Sequence, residues 1–157
     1  IAGKTASLLS TACRIGGLTG GLERHTVDQL TTFGHTYGMA FQIVDDILDV
    51  IASEDQLGKP AGNDLIEGVY TLPVLLALES DVGEQLHELL GKELSTDERD
   101  RALSLIRSTG AVEEAFTRAQ FWAQKAKLEL ESLPSSPATN ALSAATNHLL
   151  DRAQSAS

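Results

Sequence analysis

The chain has 157 residues, enough for one domain with a real core, and is 42% apolar with 13 glycines and 4 prolines, a composition that excludes disordered and fibrous classes. Its formal charge is −10, and in the first 80 residues only Lys4, Arg14, Arg24 and Lys59 are cationic, so no basic stripe follows a nucleic-acid backbone. The longest apolar run, LPVLLAL from Leu72 to Leu78, is far short of the ~20 residues of a membrane span. The single Cys13 forms no internal disulfide and fits a reducing, cytoplasmic setting as a small buried hydrophobe. Ile1 opens the chain within helical sequence, and we expect that a segment upstream has been removed.

KTASLLSTACRI, Lys4 to Ile15, predicts a first helix that stops at Gly16 and Gly17, because glycine accepts the left-handed conformation of a helix end. Thr26-Val27-Asp28-Gln29 then reads as a capping box opening a helix from about Val27 to Ile51. At about 100° per residue, Phe33, Tyr37, Ala40, Val44, Ile47, Leu48 and Ile51 share one stripe of that helix; Gln42, Asp45, Asp46 and Asp49 share the opposite one. His35 lies on the polar stripe and reads as a packed or hydrogen-bonded residue. Residues 52–70 hold Gly58, Pro60, Gly62 and Gly68 and predict a loop.

TLPVLLALES resumes helix with Pro73 in its first turn, and a short helix through Leu86 to Leu90 ends near Gly91. Ser95-Thr96-Asp97-Glu98 is a second capping box, opening a helix to about Ser108. Val112, Ala115, Ala119, Trp122, Ala126 and Leu130 recur at three- and four-residue spacing, which predicts an amphipathic helix with Trp122 in the core. LPSSP breaks it at Leu133 to Pro137, and a last helix runs through Leu142, Ala145, Leu149 and Arg152. No segment reads as a strand, so the expected class is all-α, with one domain over residues 1–157.

The informative stretch is FQIVDDILDV, Phe41 to Val50. Asp45 and Asp49 are one turn apart, about 5 to 6 Å at Cβ, and Asp46 is about 60° from Asp49 around the axis, so all three are expected to project together. Like charges at this spacing repel, and the C-terminal end of the helix dipole disfavours them further. A solvated face does not explain that arrangement; Mg²⁺ does, since it takes one or two carboxylates and leaves the remaining positions to water and substrate phosphates. An EF-hand calcium loop fits less well still, because ligands and glycine do not fall at loop positions.

FQIVDDILD resembles the second aspartate-rich motif of the trans-isoprenyl diphosphate synthases, the polyprenyl synthetases. Lys4-Thr5 resembles the family's Lys-Thr motif, GKPAGNDL at Gly58 to Leu65 its following loop, and EGVYTLPV at Glu67 to Val74 its next helix start. The resemblance implies an all-α isoprenoid-synthase bundle, a homodimer, and Mg²⁺-dependent head-to-tail condensation of isopentenyl diphosphate with an allylic diphosphate. By carry-over, Asp45 with Asp49 would hold Mg²⁺ against the allylic diphosphate, and Asp46 would share that shell or orient metal-bound water. Lys4 and Lys59 would contact diphosphate, while Thr5 and Gln42 would line the reacting end. Many members have Lys where Val69 stands, and the family's first aspartate-rich motif is absent, so the chain is expected to be the C-terminal part of such a domain and inactive alone. The alternative expectation is a non-catalytic fragment or a subunit of a heteromeric synthase. We also expect association of copies through Phe33, Tyr37 and Val44.

Overall fold

The computed structural model describes residues 2–52 and 61–156, and every regular element among them is helical. A π-helical turn, Ala2–Ala6, leads into α1 (Ser7–Thr19), followed by α2 (Arg24–Ile51) and α3 (Asn63–Ile66). Next come α4 (Leu72–Leu78), α5 (Gly83–Leu89), α6 (Thr96–Arg107), α7 (Ala111–Glu131) and α8 (Pro137–Ser155). The all-α expectation holds. Among the described residues no helix is long and apolar enough to cross a membrane. The chain divides into two compact units, one of Ile1–Val44 with Arg118–Arg152, the other of Asp45–Thr117 with Ala153–Ser157.

In the first unit, α1 does not stop at Gly16 and Gly17 but continues to Thr19, with the positive φ of 69° falling on Gly21. Gly17 is buried, and a Cβ there would lie 3.2 Å from Val27 Cγ2. This glycine therefore serves a close helix contact instead of a cap. Two glycines of α2 do the same: a Cβ at Gly34 would lie 2.5 Å from the Leu9 carbonyl oxygen, and one at Gly38 would lie 2.6 Å from Ala6 Cα. Nor does a capping box form at Thr26, because α2 already begins at Arg24. Arg14 and Arg24 both pair with Asp28 instead, at 3.0 and 3.2 Å, and the hydrogen bond from Arg14 is the main cause holding the Asp28 carboxyl below its usual range.

Phe33, Ala126 and Leu130 form an apolar cluster in this unit, with Cys13, Tyr37, Leu133 and Leu142 packed against it. Cys13 is half-buried, and burial raises its thiol pKa, so it behaves as an apolar residue. His35 meets the edge of Trp122 at 6.4 Å between ring centroids, and both are packed residues. Phe33 and Val44 are 2% and 1% exposed within this one chain, so they supply no surface for association. The exposed apolar residues of α1 are instead Leu8, Ile15 and Leu18.

In the second unit, Val74, Ala77, Leu86, Ala102, Leu103 and Ile106 are buried together from α4, α5 and α6. Pro73 sits in the first turn of α4, where its missing N–H costs nothing. The Ser95 capping box forms: Glu98 N–H donates to Ser95 Oγ, and Ser95 N–H donates to Glu98 Oε2. Glu98 also pairs with Lys92, and that bond, then the two from Ser95, lowers its pKa from its ordinary 4.5 to about 2. Because the folded pKa is depressed, the stabilisation is present above the unfolded value and fades as pH falls from about 4.5 to about 2. Thermal unfolding at pH 5.5 and pH 2 should show a larger fall in midpoint for the parent chain than for Glu98→Gln; equal falls would contradict the assignment.

Candidate active site

The residues singled out by sequence fall into both units. In the first, the π-helical turn presents Lys4 to solvent and Thr5 half-buried. Thr5 Oγ1 donates to Gln42 Oε1 at 2.6 Å, joining that turn to α2. The close approach has a cause in Gly38, which lets the buried Ala6 backbone sit directly on α2. A π turn inside helical sequence is uncommon and recurs at functional sites, and here it carries both residues of the Lys-Thr pair.

In the second unit, the last turns of α2 bring Asp45, Asp46 and Asp49 to different fates. Asp45 is exposed, whereas Asp46 and Asp49 are only 2% and 5% exposed. The three lie within about 100° of the helix and differ in burial, Asp45 being open to water and Asp46 and Asp49 covered. Among the described residues, no three Asp, Glu, His or Cys side chains converge into a cation cage. Asp49 Oδ2 accepts the N–H of Asp64 at 3.1 Å, and the Asp49 carbonyl accepts the N–H of Gly62 at 2.8 Å. Lys59 lies outside the described residues.

Burying two carboxylates near a helix C-terminus is electrostatically expensive and contributes nothing to solubility. A hard divalent cation fits this donor set, since carboxylate oxygens are its preferred ligands and one or two suffice when phosphate completes the shell. The sequence did not reveal the burial, because aspartate is read by default as exposed. Nor did it reveal the backbone contacts to Asp49, although the glycine of AGNDL announces a tight turn and Gly62 indeed has φ 74°. A cavity of about 520 Å³ in the first unit, lined by Cys13, Leu30, Leu133 and Leu142 among others, is mostly apolar and has no cationic side chain in its lining.

The polyprenyl synthetase family model matches residues 1–106, about two thirds of the chain. This chain belongs to the polyprenyl synthetase family. It is 40% identical over 139 residues to heptaprenyl diphosphate synthase component 2 of Geobacillus stearothermophilus, covering 88% of this chain and 43% of that protein. With the nonaprenyl diphosphate synthase of Mycobacterium tuberculosis it shares 37% identity over 152 residues, 95% of this chain and 45% of the other. Among solved structures, the geranylgeranyl pyrophosphate synthase of Corynebacterium glutamicum, complexed with calcium and isoprenyl diphosphate, matches with a TM-score of 0.85 and 37% identity. That match covers 96% of this chain and 48% of the other. The chain thus spans less than half the length of these relatives, and the isoprenoid-synthase helical fold is shared across it.

Proposed function

We propose that this chain supplies the second aspartate-rich, metal-dependent diphosphate site of a trans-prenyltransferase, as the C-terminal part of a synthase domain whose first aspartate-rich motif lies outside it. The observation that carries the reading is the pair of buried carboxylates, Asp46 and Asp49, beside the exposed Asp45 at the end of one helix. Asp45 and Asp49 would hold Mg²⁺, and Asp46 would share that shell or orient water beside it. The ion supplies neutralisation of the negative charge that grows as diphosphate departs from the allylic carbon. Lys4 and Lys59 contact diphosphate oxygens, and their fixed charge favours its departure. Thr5 and Gln42, hydrogen-bonded to each other, line the reacting end of the first unit, where the polar groups are held in place before reaction.

The reaction is the head-to-tail condensation of isopentenyl diphosphate with an allylic diphosphate in the cytoplasm, and the active assembly is a homodimer. Leu8, Ile15 and Leu18 supply apolar surface for such association. The name of the Geobacillus relative, component 2, favours a second reading in which the chain is one subunit of a heteromeric synthase. Transfer of labelled isopentenyl diphosphate onto farnesyl diphosphate, with products resolved by length, separates the two. Mg²⁺-dependent product from the chain joined to the remainder of its own synthase domain supports the homomeric reading; product only with a separate second polypeptide supports the heteromeric one. No product in either case, together with no Mg²⁺-dependent binding of diphosphate, contradicts both.

A further inference from the structure

A helix end leaves its last carbonyls without intrahelical partners, and in α2 these carbonyls follow directly on the aspartate-rich turn. Two outside donors, the N–H groups of Gly62 and Asp64, bond the carbonyl and the carboxylate of Asp49. A third comes from much farther along the chain: Arg107 Nε donates to the Val50 carbonyl at 2.7 Å, across 57 residues of sequence. Arg107 ends α6, and Leu103 stands one turn earlier on the same face of that helix. Leu103 packs so closely on the turn below that a Cβ at Gly62 would lie 3.0 Å from its Cδ1. One face of α6 therefore supports the Asp49 turn twice, through Gly62 and through Val50.

The chemistry of Arg107 suits the place. A guanidinium at a helix C-terminus opposes the negative end of the dipole, and its hydrogen bond to a carbonyl there is charge-assisted. We propose that Arg107 is a positioning residue for the aspartate-rich turn, fixing the end of α2 so that Asp49 keeps the orientation in which it receives a cation. This rests on the reading of that turn as the metal and diphosphate site. Arg107 touches neither metal nor substrate in this account; it acts through Val50 and Asp49.

Arg107→Ala and Arg107→Lys test it, since Arg107 is exposed and its loss leaves the buried cluster of the second unit intact. Amide hydrogen exchange at Gly62 and Asp64 is followed against Leu75 and Leu86, whose N–H groups bond within or at the start of α4 and α5. In Arg107→Ala, exchange at Gly62 and Asp64 should rise about tenfold, the size of one charge-assisted hydrogen bond, while Leu75 and Leu86 change less than about twofold. Mg²⁺ affinity in the presence of inorganic diphosphate, read by calorimetry, should weaken by about tenfold, as for loss of a group that orients a metal ligand. Lysine, which keeps the charge, should recover part of both effects. Unchanged exchange at Gly62 and Asp64, or an equal rise at all four amides, would overturn the proposal. If the parent chain takes up no Mg²⁺ with diphosphate, the metal reading fails, and the exchange pattern still decides whether Arg107 holds the turn.

Discussion

Asp45→Ala should make the protein more stable while removing its Mg²⁺-dependent affinity for diphosphate. Three small terms favour the alanine in the folded state. Alanine is the better helix former by up to ~0.7 kcal/mol, one like-charge pair with Asp49 disappears for a few tenths, and a negative charge leaves the C-terminal end of the dipole. Together they give about 1 kcal/mol, or a rise of roughly 2–4 °C in the unfolding midpoint of a chain this size. Asp45 is exposed, so no cavity offsets the gain. Binding should move the other way, by roughly 100-fold or more, because a metal held against diphosphate contributes several kcal/mol of charge stabilisation. If Asp45 were only a solvated surface residue, the midpoint would rise and binding would be unaffected. Thermal unfolding and calorimetric titration on the same preparation decide between the two.

The second large effect is expected at Gly38. A Cβ there would lie 2.6 Å from Ala6 Cα and 3.3 Å from Ala6 Cβ, and the nearer atom is backbone that no side-chain rotation can move. Gly38→Ala must push the π-helical turn away from α2, and because the contact is with backbone the overpacking cost falls in the upper part of the usual range, roughly 2–3 kcal/mol. Alanine returns up to ~1 kcal/mol of helix propensity, so the net loss should be about 1–2 kcal/mol, a fall of roughly 2–8 °C. The displacement also lengthens the Thr5–Gln42 hydrogen bond, now 2.6 Å, so any prenyl transfer should fall with it. Gly16→Ala is the control of opposite sign. Gly16 is helical and exposed with nothing within 4 Å of a Cβ, so alanine there should raise the midpoint. A lowered midpoint at Gly16, or an unchanged one at Gly38, would contradict the packing account.

These two sites show what the sequence makes legible. The apolar stripe of α2 was readable because Phe33, Ala40, Val44, Ile47 and Leu48 follow the helical period, and all five are buried. The Ser95 box was readable because its partners are three residues apart and bond each other regardless of tertiary context. Gly17 misled because a glycine that ends a helix and one that admits a neighbouring helix look alike in one dimension; only the position of Val27 separates them. Thr26 misled because Arg24 already starts α2 two residues earlier, so the local match to a capping box had no free helix end to cap.

At the candidate site the residue types were legible and their environments were not. FQIVDDILD names three carboxylates on one helix, but whether each faces water depends on what packs there, and Asp46 and Asp49 prove buried where Asp45 is not. The donors that hold Asp49, from Gly62 and Asp64, are backbone groups and have no side-chain signature. Arg107 is 57 residues from the carbonyl it caps, a separation that local patterns do not reach.

The most direct measurement of the central claim is a calorimetric titration of farnesyl diphosphate into the parent chain, first with Mg²⁺ and then with the cation removed by chelation. The account predicts binding that appears with Mg²⁺ and disappears on chelation, because an acidic turn repels an anion unless a cation stands between them. Binding of equal strength with and without Mg²⁺ would contradict it, as would Mg²⁺-dependent binding that survives loss of both Asp45 and Asp49.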